Sequence, residues 1–120
     1  MKITSYYPQF VTDDFEKALK EYTEALGFEV RHKQEVEGFK LYVLKHPCGH
    51  KVDLIECADY EPGFFAMRMN VDNLEEAIDY YIVNGGRRDE TAFNRLSARY
   101  ALVNMPNGKI NIVQHIKDDE

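Results

Sequence analysis

The sequence predicts an α+β fold built from two similar modules, each with the order βαβββ. The first observation is a repeat: residues 13–30 and 72–87 carry the same helical spacing of apolar side chains, and Gly27 and Gly86 near their ends are 59 positions apart. The second is that each repeat is preceded by one strand-like run and followed by three, all with β-branched or aromatic residues. Both halves of the chain therefore predict the same supersecondary unit.

The first module covers residues 1–57 and begins with a strand at residues 4–12. Asp13 is the expected N-cap of the helix, Glu16 completes a capping box, and Gly27 ends the helix with a positive φ. Three strands follow at residues 28–36, 39–45 and 51–56, with a tight turn at residues 37–38.

A polar linker at residues 58–63 precedes the second module, residues 64–117, and the whole chain of 120 residues is expected to form one domain. Asp72 repeats the cap, and Gly85 and Gly86 stop the second helix near residue 84. The strands of this module are expected at residues 64–71, 87–93, 96–103 and 110–116, with a turn at residues 104–109.

The charge pattern argues against two classes of partner. A net charge of −6 and a pI near 5.2 disfavour a nucleic-acid-binding surface. No apolar run approaches the ~18 residues of a membrane span, and the N-terminus has no apolar signal-peptide core, so a cytoplasmic location is expected. Cys48 and Cys57 are too few for a disulfide framework and are predicted to be reduced thiols.

The chain resembles the vicinal-oxygen-chelate superfamily, which includes glyoxalase I, extradiol dioxygenases and bleomycin-resistance proteins. The resemblance rests on the two helix entries, VTDDFEKALKEYTEALGFEV and NVDNLEEAIDYY, and on two turn-plus-strand segments, HPCGHKVDLIE and MPNGKINIVQ. It implies curved mixed sheets around a concave cavity, with the helices outside, and a homodimer whose swapped or side-by-side form stays open.

Strand alternation selects the side chains that face away from the helices. In the second module Met67, Met69 and Val71 face the helix, which leaves Ala66, Arg68 and Asn70 on the other face. For the last strand, a one-residue deletion relative to the first module places Ile110 and Ile112 toward the helix. The predicted ligand-binding residues are Tyr7, Gln9, Asp53, Arg68, Tyr100, Asn111 and His115. Tyr42 could line the same pocket or could simply be a tyrosine that suits a strand, and the sequence leaves both roles open.

The resemblance places a divalent metal on four positions, which here are Tyr7, Asp53, Ala66 and Asn111. Only Asp53 offers a suitable donor, so no metal or other cofactor is expected. Arg68 and Asp53 could instead clamp a ligand or form an internal ion pair, and the sequence leaves both open.

A second group of metal-ligating types, His46, Cys48 and His50, lies in a predicted turn that Pro47 and Gly49 explain without a ligand role.

The function predicted from the sequence is metal-independent binding of a small molecule of unknown identity, as in bleomycin-resistance-type proteins. The alternative is a glyoxalase-like lyase or isomerase with a rearranged metal or acid/base site. A structural or regulatory module without a ligand is a third hypothesis.

Overall fold

The computed structural model describes residues 2–89 and 100–114. The chain divides into an N-terminal unit, Tyr7–Phe65, and a C-terminal unit that combines Met1–Tyr6 with Ala66–Glu120. The elements are β1 (Ile3–Val11), α1 (Phe15–Lys20) continued by a π-helical segment (Glu21–Ala25), β2 (Glu29–Val36), β3 (Phe39–Lys45), β4 (Lys51–Glu56), β5 (Gly63–Val71), α2 (Leu74–Val83), β6 (Arg87–Arg88), β7 (Tyr100–Met105) and β8 (Gly108–Gln114). This is the predicted α+β class.

The N-terminal unit contains a mixed sheet with the strand order β2-β3-β4-β1. β1 and β4 are parallel, whereas β3 is antiparallel to both of its neighbours. Val36 pairs with Phe39, so the turn between β2 and β3 consists of Glu37 and Gly38 alone, as predicted. Gly38 has a φ of +77°, a conformation in which glycine has no steric penalty.

Helix α1 covers one face of this sheet. Phe15 is 4% exposed and meets the Tyr42 ring edge-on, with ring centres 4.8 Å apart. Phe10 also packs here, so β1 presents it to the helix as predicted. The remaining apolar side chains of this core include Leu44, Val52, Leu54, Ala18, Leu19, Tyr22 and Phe28.

The C-terminal unit contains the strand order β1-β5-β8-β7-β6, to which β1 contributes its first residues. β5 and β8 are parallel, and β7 is antiparallel to β8 and β6. Met105 pairs with Gly108, which narrows the predicted turn at residues 104–109 to Pro106 and Asn107. Of the strand predicted at residues 87–93, only Arg87–Arg88 lies within the described strands, and residues 90–99 are outside the described range.

Helix α2 packs on one face of this second sheet. Ala77 is fully buried against Met69, Val71 and Ile112. The predicted helix-facing positions of Met69, Val71, Ile110 and Ile112 are therefore confirmed. Within residues 2–89 and 100–114, the structure contains no helix with the length and apolar character needed to cross a membrane.

Both helices begin one residue later than predicted. The side chain of Asp14, not Asp13, accepts a hydrogen bond from the Lys17 amide, and Asn73 accepts one from Glu76. Asp72 instead accepts a hydrogen bond of 2.7 Å from the backbone N–H of Lys2. The prediction of Asp13 and Asp72 as caps was wrong because adjacent polar residues offer equivalent oxygens, and the packing of the helix selects between them.

Candidate functional site

In the N-terminal unit, two buried polar side chains meet on the sheet face opposite α1. Gln9 of β1 and Asp53 of β4 are paired in register, and Gln9 Nε2 donates a hydrogen bond of 2.8 Å to Asp53 Oδ2. Gln9 is 1% exposed and Asp53 is 0% exposed. A buried carboxylate needs hydrogen-bond donors, so this bond holds the carboxylate in one orientation within the unit.

Two further side chains share this face by strand alternation. Tyr7 lies two residues before Gln9 on β1 and is buried, and Lys51 lies two residues before Asp53 on β4 and is half-buried. The Lys51 Nζ atom lies 5.8 Å from the centre of the Tyr7 ring. A positive charge at this distance interacts favourably with an aromatic face. The face thus combines a carboxylate, an amide, a phenol and an ammonium group.

In the C-terminal unit, Arg68 lies on the β5 face opposite α2 and is 5% exposed. Arg68 Nε donates a hydrogen bond of 3.0 Å to Asn70 Oδ1, and Asn70 Nδ2 donates one of 2.5 Å to Ser5 Oγ. The neighbouring strand of the same unit therefore helps to fix the orientation of the guanidinium group. A guanidinium held in this way can bind a carboxylate or phosphate with two parallel bonds.

Asn111 and Tyr100 lie on the same face as Arg68. Arg68 is paired with Asn111 across the parallel β5–β8 ladder, and Tyr100 on β7 lies opposite Val113. Burial raises the pKa of the Tyr100 phenol, so this side chain stays neutral and able to donate at physiological pH.

The two ladders confirm the predicted one-residue deletion. Gln9 pairs with Asp53, and Arg68 pairs with Asn111. Gln9 and Arg68 are 59 positions apart, whereas Asp53 and Asn111 are 58 apart. The shorter spacing keeps Ile110 and Ile112 on the apolar side of β8, because a slip of one residue would move every side chain to the other face.

Some of the predicted site stays a prediction. The structure brings Gln9 and Asp53 together in one unit, and places Arg68, Asn111 and Tyr100 on one face of the other. The predicted contact between Arg68 and Asp53 concerns both units and is untested. His115 lies outside the described residues.

Tyr42 does not belong to the predicted ligand-binding face. It lies in the core beneath α1, opposite Leu54, and its hydroxyl donates a hydrogen bond to the Glu35 carboxylate. That bond, together with burial, raises the pKa of Tyr42. Of the two roles open for Tyr42, the structure shows the structural one, because β3 pairs with β4 in a register that turns residue 42 toward the helix.

The turn with His46 and Cys48 is held by its own hydrogen bonds. The Cys48 amide donates to His46 Nδ1 at 3.0 Å, and the Gly49 amide donates to the His46 carbonyl at 2.8 Å. The structural explanation of this motif is therefore sufficient. Both cysteines are free, with Cys48 exposed and Cys57 buried.

The donors at the four metal positions implied by the resemblance do not fit a divalent ion. Ala66 is fully buried and has no donor atom, Asn111 offers an amide and Tyr7 a phenol, so Asp53 alone supplies a carboxylate. Among residues 2–89 and 100–114, no three His, Cys, Asp or Glu side chains are grouped so that they could hold a metal ion.

Two polar residues outside the predicted ligand-binding set, Lys51 and Asn70, contribute to these faces. Both have the strand parity of a selected residue, two positions from Asp53 and Arg68 respectively. Alternation along the strand was therefore sufficient to predict the sheet face of each residue, but only the structure shows which groups they contact.

These elements define an α+β fold that is shared with solved structures of methylmalonyl-CoA epimerases. No protein-family model matches the sequence, and no curated protein does either. Solved structures with this fold include methylmalonyl-CoA epimerase from Mycobacterium tuberculosis, with a TM-score of 0.72 and 17% identity over 95% of this chain and 89% of that chain.

A second structure, methylmalonyl-CoA epimerase in complex with methylmalonyl-CoA and NH4+, has a TM-score of 0.70 and 16% identity over 92% of this chain and 93% of that chain. A hypothetical protein from Bacillus halodurans has a TM-score of 0.72 and 15% identity over 95% of this chain and 97% of that chain. At these identities the similarity shows the fold alone.

Proposed function

We propose that the protein is a glyoxalase-like isomerase that moves a proton on a small carbonyl compound, with Asp53 as the base. The observation that carries this proposal is the buried Asp53 carboxylate, held by Gln9 at 2.8 Å on the sheet face away from α1. A buried carboxylate that is fixed in one orientation is suited to removing a proton next to a carbonyl group.

The other side chains of this face have complementary roles in the proposal. Gln9 fixes the plane of the Asp53 carboxylate, so it is a positioning residue. The Tyr7 phenol donates a proton to the substrate while Asp53 keeps the one it removed, and proton exchange with water after the product leaves restores both groups. The Lys51 ammonium stabilises the negative charge that develops on the carbonyl oxygen. Preorganised charge of this kind commonly supplies a large part of the rate enhancement. The proposal uses no metal, since the donor set does not fit one.

The solved structures favour an isomerase over a passive binding protein. Two of the proteins with this fold are methylmalonyl-CoA epimerases, and one of them is in complex with methylmalonyl-CoA. Their low identity to this chain does not assign a substrate. We therefore take methylmalonyl-CoA as the first compound to test, and small 2-hydroxy and 2-oxo carbonyl compounds as the next.

The test measures hydrogen exchange at the carbon next to the carbonyl. Each compound is incubated with the protein in D2O, and the loss of its α-proton signal is followed by NMR against a protein-free sample. We expect catalysed exchange of at least one compound, reduced about 100-fold or more in Asp53→Asn. Asp79→Asn, an exposed aspartate of α2, is the matched control and should exchange at the wild-type rate. Equal rates in wild type and Asp53→Asn would overturn the role of Asp53.

Metal-independent binding without turnover is the second candidate. The observation that favours it is the 0% exposure of Asp53, because a fully buried carboxylate also suits a purely structural bond with Gln9. Under this candidate, a ligand from the same panel raises Tm by mass action, yet no α-proton exchanges. A ligand-dependent rise in Tm without α-proton exchange would thus replace the isomerase proposal.

The protein is also proposed to be a homodimer. Light scattering of the purified protein measures its molar mass and tests this proposal.

A further inference from the structure

The N-terminal unit contains a cavity of about 550 Å³ at the end of its sheet, away from the Gln9–Asp53 pair. It lies where β1 and β4 end and where the β2–β3 hairpin turns, and its walls include side chains from the linker. Cys57 in its lining is four residues beyond Asp53, or about 13 Å along an extended chain. The volume is in the range of small-molecule sites, roughly 300–1,000 Å³.

Charged side chains at the cavity favour a cation. Asp13 and Glu56 contribute two carboxylates to the lining, and Lys40 contributes one ammonium group. The Lys40 Nζ atom lies 5.3 Å from the centre of the Phe15 ring, so its positive charge is stabilised by a cation–π interaction within the protein. The charged side chains of the lining therefore sum to one negative charge.

The apolar part of the lining favours a ligand with a hydrocarbon body. Phe39 is 3% exposed, and Tyr60 is half-buried and packs against Phe65 with ring centres 4.7 Å apart. That contact holds the Tyr60 ring in place. Fixed aromatic walls beside carboxylates are suited to an organic ammonium group with an apolar substituent.

We propose that this cavity is a binding site for a small amphiphilic amine, bound through its ammonium group to Asp13 and Glu56 and through its apolar body to Phe39 and Tyr60. The site is separate from the proposed isomerase face and does not depend on it. It assigns a ligand-binding role to the ends of β1 and β4 and to the linker.

The test compares three probes with the same benzene ring and nearly the same length. Phenethylamine is cationic at pH 7, 2-phenylethanol is neutral, and 3-phenylpropionate is anionic. Each is titrated into 15N-labelled protein, and the amide shifts of the cavity-lining residues give the dissociation constant. We expect phenethylamine to bind about 5-fold or more tightly than the alcohol, and the anion to bind more weakly still, as partly exposed charge pairs contribute about 1 kcal/mol.

The two cysteines supply a second measurement within the same molecule. Cys57 lines the cavity and is buried, whereas Cys48 is exposed in a turn outside it. Phenethylamine should slow the alkylation of Cys57 by iodoacetamide and leave that of Cys48 unchanged. Glu56→Gln should weaken phenethylamine binding about 5-fold without affecting 2-phenylethanol, since it removes one charge only. Glu24→Gln, an exposed glutamate of the π-helical segment, is the control.

Three results would overturn the proposal. These are equal binding of the amine and the alcohol, amide shifts that fall outside the cavity lining, and equal slowing of alkylation at both cysteines. Since Glu56 is half-buried at the end of a strand, its replacement by glutamine should leave the fold intact, which the amide spectrum of the variant also verifies.

Discussion

Replacing Gln9 by leucine should destabilise the protein by about 2–3 kcal/mol, because Asp53 would lose a hydrogen-bond donor to a buried, charged oxygen. The structure sets the size of the effect: the bond is 2.8 Å long, and the side chains are 1% and 0% exposed, so little water can replace the lost donor. Leucine keeps a similar volume, which limits any cavity term.

The assay is thermal unfolding followed by calorimetry. With about 2.1 cal/mol/K of unfolding entropy per residue, a chain of 120 residues shifts its Tm by about 4 °C for each kcal/mol. The expected fall in Tm is therefore about 8–12 °C for Gln9→Leu. Gln34→Leu is the matched control, since Gln34 is half-buried on β2, and its effect should stay within about 0.5 kcal/mol.

A double-mutant cycle separates the bond from general disruption. Gln9→Leu and Asp53→Leu together should be less destabilising than the sum of the single effects, by about 1.5 kcal/mol or more, because the double variant leaves no buried charge behind. Additive effects within about 0.5 kcal/mol would refute the reasoning, as independent sites behave in that way.

Three further predictions concern the scaffold. Gly86→Ala should cost about 1–3 kcal/mol in urea unfolding, because its methyl group would lie 2.7 Å from a backbone oxygen, and a neutral result would contradict the close packing. Asp14→Ala should cost about 1 kcal/mol and Asp13→Ala almost nothing, since only the former is the N-cap, and the reverse order would show that the cap is misassigned. The hydrogen bond from Lys2 lowers the pKa of Asp72 in the folded protein. The ionised Asp72 side chain therefore stabilises the fold above the unfolded pKa of about 3.9, and this stabilisation is lost as the pH falls through the lower folded pKa. The Tm of the wild type should then fall more steeply than that of Asp72→Asn below about pH 5, and parallel curves would exclude this linkage.

The repeat in the sequence predicted the positions of both helices, but not the role of each repeated residue. Gly27 has a φ of +80°, as expected of a residue that ends a helix. Its counterpart Gly86 does not have a positive φ, and the preceding Gly85 does, at +98°. Gly86 is required for space instead. Glycine is thus required for its backbone conformation at position 27 and for its lack of a side chain at position 86.

The face of most strand residues followed from alternation alone, because the pleat of a strand is a local property of the backbone. It placed Phe10, Met69 and Ile112 beneath the helices, and it placed Arg68 and Asn111 on the opposite face. Tyr42 was the exception, since its strand is apolar on both faces and carries no clear period.

The sequence by itself determined the α+β class, the two helices, the tight hairpin turn at residues 37–38 and the one-residue deletion before β8. These features depend on local backbone conformation and on the spacing of apolar residues, both of which can be read directly from the sequence. Only the tertiary structure decided that Gln9 donates to Asp53, that Asn70 holds Arg68, and that Cys57 and Tyr60 line a cavity. Those contacts join residues distant in sequence, and their geometry depends on strand register and side-chain packing, which no local pattern specifies.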